Sequence, residues 1–582
     1  MPYTSQHDPG FMPTYIPAYP PLARLSAGAA SVPSVEPGLS GYSTDAPTTV
    51  TISTGHMKDK EVRPLVDVTV RELGEGQKLR RQLRPRHIAL LSIGGVVGTG
   101  LFLGTAQSLA MAGPLGLLLA YILVGALVWC MMISLGEMIS HLPLPGGHVT
   151  LASRLVDPAF GLAVGYAYAA NWLLVLPTEL SAAATLISFW SDANPAGYLA
   201  ACWVVVVLIN LGGTRVYGEM EYWFAGIKIV TIIGLLIVSI IITAGGVPGT
   251  EPIGFRYWHE PGPFVQYLGI PGSTGRFAGF VVVLSKAAYS YVGSEIVSIA
   301  AGEARNPSRS LPAAIRRISF RIGLFYIVGT FAIGLIVASN DPALARNDGT
   351  ARSSPFVVAI EQAGIQALPS VVNAAFLTSA TSAASSGLYT ASRAIYGLAL
   401  QGNAPRVFAR LNRYGLPYVA VLLGCAFGAL SFMSAGSENA SVVFHWFSSF
   451  KSVGGLLSWS AICFLYIRFY HAAAAQGIER SYFPYQGPFQ PYAAYAALFG
   501  FILILAVQGF YVFIDGQWKT ADFLTRYLMV ILFPLVYFAA KYWRRTRTLE
   551  LLEIDFFSGS RDNDEKDEEP KSRIRRMLHA LA

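Results

Sequence analysis

Between about residue 87 and about residue 543 the chain is a succession of apolar runs, most of them long enough to cross a bilayer. Hydrocarbon offers no hydrogen-bond partner to a backbone, so a membrane helix must satisfy every backbone N–H and C=O within itself. About twelve are predicted, near 87–110, 114–138, 160–190, 197–212, 222–245, 277–301, 321–339, 366–400, 417–434, 441–469, 492–513 and 522–543. The expected fold class is therefore an all-α polytopic membrane protein. With 53% hydrophobic and 13% charged residues the composition agrees, because soluble domains carry about 25% charged residues.

The net charge of +8 calls for no nucleic acid. Threading the runs alternately puts most basic residues in loops on one side: Arg154, Arg215, Arg305, Arg309, Arg316, Arg317, Arg406, Arg410, Arg413, Arg468, Arg480, Lys541, Arg544 and Arg545. The opposite loops hold Arg256, Arg276, Arg346, Arg352 and Lys519, mostly beside acids. By the positive-inside rule the first set is cytosolic, and an even number of spans leaves both termini there. Cys130, Cys202, Cys425 and Cys463 lie in apolar runs without metal-ligand spacing and read as buried hydrophobes.

Three regions follow. Residues 1–76 are aperiodic and rich in Pro, Ser, Thr and Gly, an expected disordered cytosolic tail. Residues 77–545 form the transmembrane domain, entered through the basic knot Lys78, Arg80, Arg81, Arg84 and Arg86. Residues 546–582 are a charged cytosolic tail ending in Arg573–Leu581, a short basic amphipathic helix or a solvated end.

Two runs are interrupted. The first contains Ser92-Ile93-Gly94-Gly95-Val96-Val97-Gly98-Thr99-Gly100-Leu101-Phe102, with four glycines in seven residues. Each weakens a helix by roughly 1 kcal/mol relative to alanine, so the stretch reads as a helix broken mid-membrane or as a close-packing face. The sixth run contains Lys286-Ala287-Ala288-Tyr289-Ser290-Tyr291-Val292-Gly293-Ser294-Glu295, with an acid at membrane depth. Interruptions five spans apart point to an inverted-repeat transporter with its site at the breaks.

The text SIGGVVGTGLF with YSYVGSEIVSIAAGEARNPSRSLPAAIRR resembles the amino acid–polyamine–organocation superfamily, most closely its fungal amino-acid permease (yeast amino acid transporter) branch. LPLPGGHVTLASRLVDPAFG, INLGGTRVYGEMEYWFAGIKIV and SAASSGLYTASRAIYGLALQGNAPRVFARLNRYGLPY match in the same order, from about Arg80 to Ser558. The resemblance implies a five-plus-five inverted-repeat, leucine-transporter-like core with two C-terminal helices. It also implies proton-coupled symport of free amino acids at the plasma membrane, with no cofactor and partners limited to substrate, protons and lipid.

Carried over residue by residue, the family's substrate site falls on Val96, Gly98, Thr99, Gly100, Tyr289, Val292, Gly293, Ser294 and Ser385. The amides of Gly98-Thr99-Gly100 would meet the substrate carboxylate, and the carbonyls of Val96, Tyr289 and Val292 its ammonium. Tyr289 takes the aromatic gate position and Glu295 that of the family's acid after the second break. Lys228 stands where related proton-coupled transporters carry a lysine in place of sodium; its other reading is a lysine snorkelling to the cytosolic interface. Glu137 falls near the family's cytosolic gate. His87, His141 and His148 read as interfacial histidines rather than proton relays.

Departures from the family affect substrate choice. Ser385 replaces an asparagine, Tyr166-Ala167-Tyr168 a tryptophan and asparagine, and Phe444-His445-Trp446…Ser449-Phe450-Lys451 an asparagine-containing pattern. Lys286 and Lys451 sit at membrane depth and need partners: Glu179 or Glu295, or a substrate side-chain carboxylate. GFRYWHEPGPF and SPFVVAIEQAGIQALP resemble dicarboxylic amino-acid permeases, so acidic amino acids are the expected substrates, broad neutral uptake being the alternative. An amino-acid sensor on the same scaffold is the other reading, which tails of this moderate length disfavour. A membrane enzyme is not supported, because catalytic residues do not cluster.

Overall fold

The computed structural model describes residues 82–560 except 94–97, 192, 346–351, 353, 436–439 and 515. The expectations placed on residues 1–81, Val96 and Arg573–Leu581 lie outside the described residues. Among the described residues there is no strand, only one isolated bridge between Leu83 and Ala304. The described residues of each predicted run lie mainly on helix. Among the described residues eight helical stretches are long and apolar enough to cross a membrane, and Pro195–Leu211 and Tyr418–Ser434 are shorter apolar helices.

The first run holds helix α1 (Pro85–Ile93), the extended Gly98 and α2 (Thr99–Phe102), which leads into α3 (Gly104–His141). Two predicted runs meet inside α3 at Gly113, whose φ of 76° and following Pro114 turn the chain sharply. A Cβ at Gly113 would lie 2.7 Å from the Pro263 carbonyl oxygen, so glycine is required there for space as well as for conformation. Next come α4 (His148–Leu155), α5 (Pro158–Ile187), α6 (Pro195–Leu211) and α7 (Gly213–Thr243). Starts are written locally: Asp157 caps α5 by accepting from the Phe160 N–H, with Pro158 next, and Asn194 with Pro195 repeats the device on α6. Helix α7 begins nine residues before the predicted 222, because Gly218-Glu219-Met220-Glu221 lowers the local hydropathy without ending the helix.

After α8 (Arg256–His259) the sixth run is α9 (Gly272–Tyr291), a break, and α10 (Ile296–Ala301). Helix α11 (Pro307–Arg321) passes through a π-helical segment, Ile322–Val328, into α12 (Gly329–Ile336). Short α13 (Pro342–Ala345) and α14 (Pro355–Gln362) precede α15 (Leu368–Leu400), α16 (Tyr418–Gly428), α17 (Ala440–Ala475), α18 (Tyr492–Val507) and α19 (Thr520–Arg544). Helices α5 and α15 pack closely, α9 lies along α3, and both broken runs are buried. Exposed Leu208, Trp223, Val230, Ile240, Phe499 and Phe538 face outward from α6, α7, α18 and α19, as lipid contact requires. Residues 546–560 fold back on the helix ends: Arg154 donates to the Asp555 and Ser558 carbonyls, and Arg468 to that of Leu549. All four cysteines are free thiols.

Candidate functional site

The two breaks face one another. Gly98 is the N-cap of α2 in extended conformation, so the first amides of α2 lack helical partners. A Cβ at Gly100 would come within 2.9 Å of Ser290 Cα and 3.1 Å of the Tyr289 ring. Gly100 is thus both a packing glycine and part of the break. In the second break Val292 leaves the helix and Gly293 adopts φ 106°, a conformation that strongly favours glycine. Tyr289 joins the breaks by donating to Thr99 Oγ1 at 3.0 Å, while Thr99 donates to Glu179 Oε2 at 3.0 Å.

Four polar groupings surround this junction. In the first, Lys451 Nζ donates to Glu179 Oε1 at 2.8 Å and sits 4.7 Å from the Tyr289 ring centre. The partner sought for Lys451 is therefore Glu179, and its charge is answered within the protein. In the second, Lys228, 1% exposed and midway along α7, donates to Ser382 Oγ at 2.7 Å and lies 3.7 Å from Glu221. Ser382 in turn donates to Glu221 Oε2 at 2.7 Å. The early start of α7 takes Lys228 away from any interface, which removes the snorkelling reading.

In the third, Glu295 Oε2 accepts from the Gly293 N–H and from Trp459 Nε1 at 2.9 Å, while the buried Oε1 has no hydrogen-bond partner. Beside it the fully buried Arg321 donates to the Ser92 carbonyl at 2.8 Å and to Ser294 Oγ at 2.6 Å. Arg321 thus clasps the last turn of α1 to the second break, and it does so at the start of the π-helical segment, an irregularity common at functional sites. In the fourth, Lys286 Nζ donates to Gln107 Oε1 at 2.7 Å, and Gln107 bonds His445 at 2.8 Å. Arg526 of α19 reaches Ser285, Gln508 and Tyr511, all neutral. Lys286 and Arg526 form no ion pair with a described residue.

Ser385 is placed elsewhere: it accepts from Asn210 Nδ2 of α6 at 3.0 Å, while Ala383 is the α15 residue nearest a Cβ at Gly98. Glu137 accepts from Arg480 and the Gly487 N–H, a tether at the end of α3. Of the histidines, His87 contacts Glu219, His141 bonds the Phe556 carbonyl, and His148 bonds Ser298. Burial pushes His148, on α4 outside the spans, down to about 3, so it is neutral near pH 7 and carries structure rather than charge. Sequence reasoning missed Glu221, Arg321, Trp459 and the buried pair Glu303–Arg393. The sequence does carry a signal for Arg321, an arginine opening an apolar run, but in that position it is indistinguishable from the edge of the run.

These arrangements place helix-end backbone groups at the two breaks and buried acid–base pairs near them. Among the described residues no group of His, Cys, Asp or Glu has metal-binding geometry. Residues 87–553 match the family model described as amino acid permease. The chain is 40% identical over 502 residues to the dicarboxylic amino acid permease of Saccharomyces cerevisiae, covering 85% of this chain and 82% of that protein. It is 40% identical to a proline-specific permease of Emericella nidulans, with 85% and 90% covered. A lysine-specific permease of S. cerevisiae is 39% identical, with 87% and 84% covered.

Proposed function

This chain belongs to the amino acid permease family, a multi-pass transporter of amino acids rather than an enzyme, and from that premise we propose that it is a proton-coupled importer at the plasma membrane favouring acidic amino acids. The observation that carries the reading is the meeting of the breaks at Gly100, Ser290, Tyr289 and Thr99. In this reading the core is the five-plus-five inverted repeat with two further helices. The substrate carboxylate meets the α2 amides, its ammonium meets carbonyls of the second break, and Tyr289 closes over it. Lys228 with Glu221, and Glu295, carry the coupling proton.

Relatives named for acidic, proline and lysine substrates do not choose among substrates. The support for acidic ones lies in the fourth grouping, two basic side chains bonded, among the described residues, only to neutral groups. Lys286 is one turn before Tyr289 on the same helix, so a side-chain carboxylate there completes its ion pair. Lys286→Ala is expected to lower glutamate and aspartate uptake roughly tenfold or more, the scale of one charge-assisted contact, while sparing neutral uptake. Competition of twenty amino acids against one labelled substrate checks this, and failure of excess glutamate to compete in the unaltered protein removes the acidic assignment.

The charge map puts both termini in the cytosol and the 246–276 loop outside. An epitope inserted near Gly272 is expected to be labelled on intact cells; labelling only after permeabilisation contradicts the topology.

A further inference from the structure

A cavity of about 160 Å³ lies where α1, α7 and the α10–α11 loop meet, lined by Gln82, Arg84, His87, Arg215 and Arg305. Among the described residues no carboxylate lines it. The side chains of Arg84, Arg215 and Arg305 have no ion-pair or hydrogen-bond partner among the described residues. The nearby acid, Glu219, is engaged by Arg86 and by His87 at 3.2 Å. Arg215 and Arg305 are exposed and Arg84 is half-buried, so water weakens their mutual repulsion, and an anion between the three replaces it with attraction. Guanidinium forks match carboxylate and phosphate oxygens alike, and the phosphate is the group that a membrane surface presents.

We propose that this cavity binds a phosphate group, that of an anionic phospholipid headgroup. The arginines belong to the loops assigned to the cytosolic face, where anionic lipids concentrate. Exposed apolar Leu211 and Val216 flank Arg215 on α6 and α7, where acyl chains would run. The backbone adds a consequence. The Leu83 N–H donates to the Glu303 carbonyl and the Arg305 N–H to that of Leu83, fastening the entry of α1 to the end of the sixth run. A bound phosphate cross-links the same elements and α7, and α1 leads straight to the first break. Occupancy therefore holds the entry of α1 against the end of the sixth run and against α7, and modulates transport without touching the substrate.

The test uses purified full-length protein. Dioctanoyl phosphatidylinositol 4-phosphate is expected to raise Tm saturably by a few degrees, dioctanoyl phosphatidylcholine is not, and R84Q/R215Q/R305Q is expected to abolish the shift. If the triple variant fails to fold, Arg215→Gln and Arg305→Gln are each expected to weaken apparent affinity several-fold. In vesicles, adding the phosphoinositide to phosphatidylcholine is expected to change uptake by the unaltered protein but not by the variants. A shift given equally by inorganic phosphate alone overturns the lipid source and leaves a free-phosphate site. No shift from either probe, a shift that survives the substitutions, or an equal loss from Arg406→Gln elsewhere on that face overturns the site.

Discussion

Gly100→Val is expected to reach the membrane and to lose between several-fold and more than a hundredfold of its uptake. The first added atom, Cβ, already falls 2.9 Å from Ser290 Cα, and the obstacle is backbone, which cannot rotate away. Forcing methyl groups into such a contact costs typically about 1–3 kcal/mol, each 1.4 kcal/mol being tenfold in an equilibrium. The strain falls on the junction between the broken helices, which must hold its geometry to pair Tyr289 with Thr99. Gly104→Ala is the control, because a Cβ there meets the Tyr289 ring at an ordinary 3.8 Å. Radiolabelled uptake normalised to surface protein should separate the two. Equal activity in both variants means that the close approach at Gly100 does not matter to transport.

Lys228→Ala is expected to abolish concentrative uptake, and the reason must be separated from misfolding. Removing the ammonium leaves Glu221 3% exposed and without its countercharge, a change that typically costs about 3–5 kcal/mol. Removing both charges together avoids that cost, since isosteric neutral replacements of buried pairs are often tolerated. The double variant Glu221→Gln with Lys228→Met is therefore expected to be expressed and to exchange labelled for unlabelled amino acid, but not to accumulate it. Counterflow and accumulation measured side by side distinguish binding from coupling. Accumulation by the double variant at the unaltered level takes the coupling role away from this pair.

The spans and breaks were legible in the sequence because they are local properties. Hydropathy over twenty residues and glycine density over seven need no knowledge of neighbours, so the departures at Gly98 and Gly293 were visible in the text. Pairings between distant elements were not. Lys451 and Glu179 stand 272 residues apart, and the sequence named Glu179 only as one of two acids able to answer a buried cation. Glu221 was hidden by an error of boundary. The polar stretch before Tyr222 reads as loop in the sequence, which places the acid outside the membrane and Lys228 at its edge. Arg321 was lost in the same way, at the first position of its run. Ser385 shows the converse: its match to a family position is local, but its partner Asn210 depends on how α6 packs on α15.

The measurement that bears most directly on the proposed mechanism is uptake by the purified protein in sealed vesicles with an imposed pH gradient. With the outside acidic, labelled glutamate is predicted to accumulate above its external concentration, to leak out when a protonophore is added, and to be indifferent to replacement of sodium by choline. Accumulation that requires sodium, or that survives the protonophore unchanged, contradicts proton coupling at the buried pairs; binding without any flux contradicts transport itself.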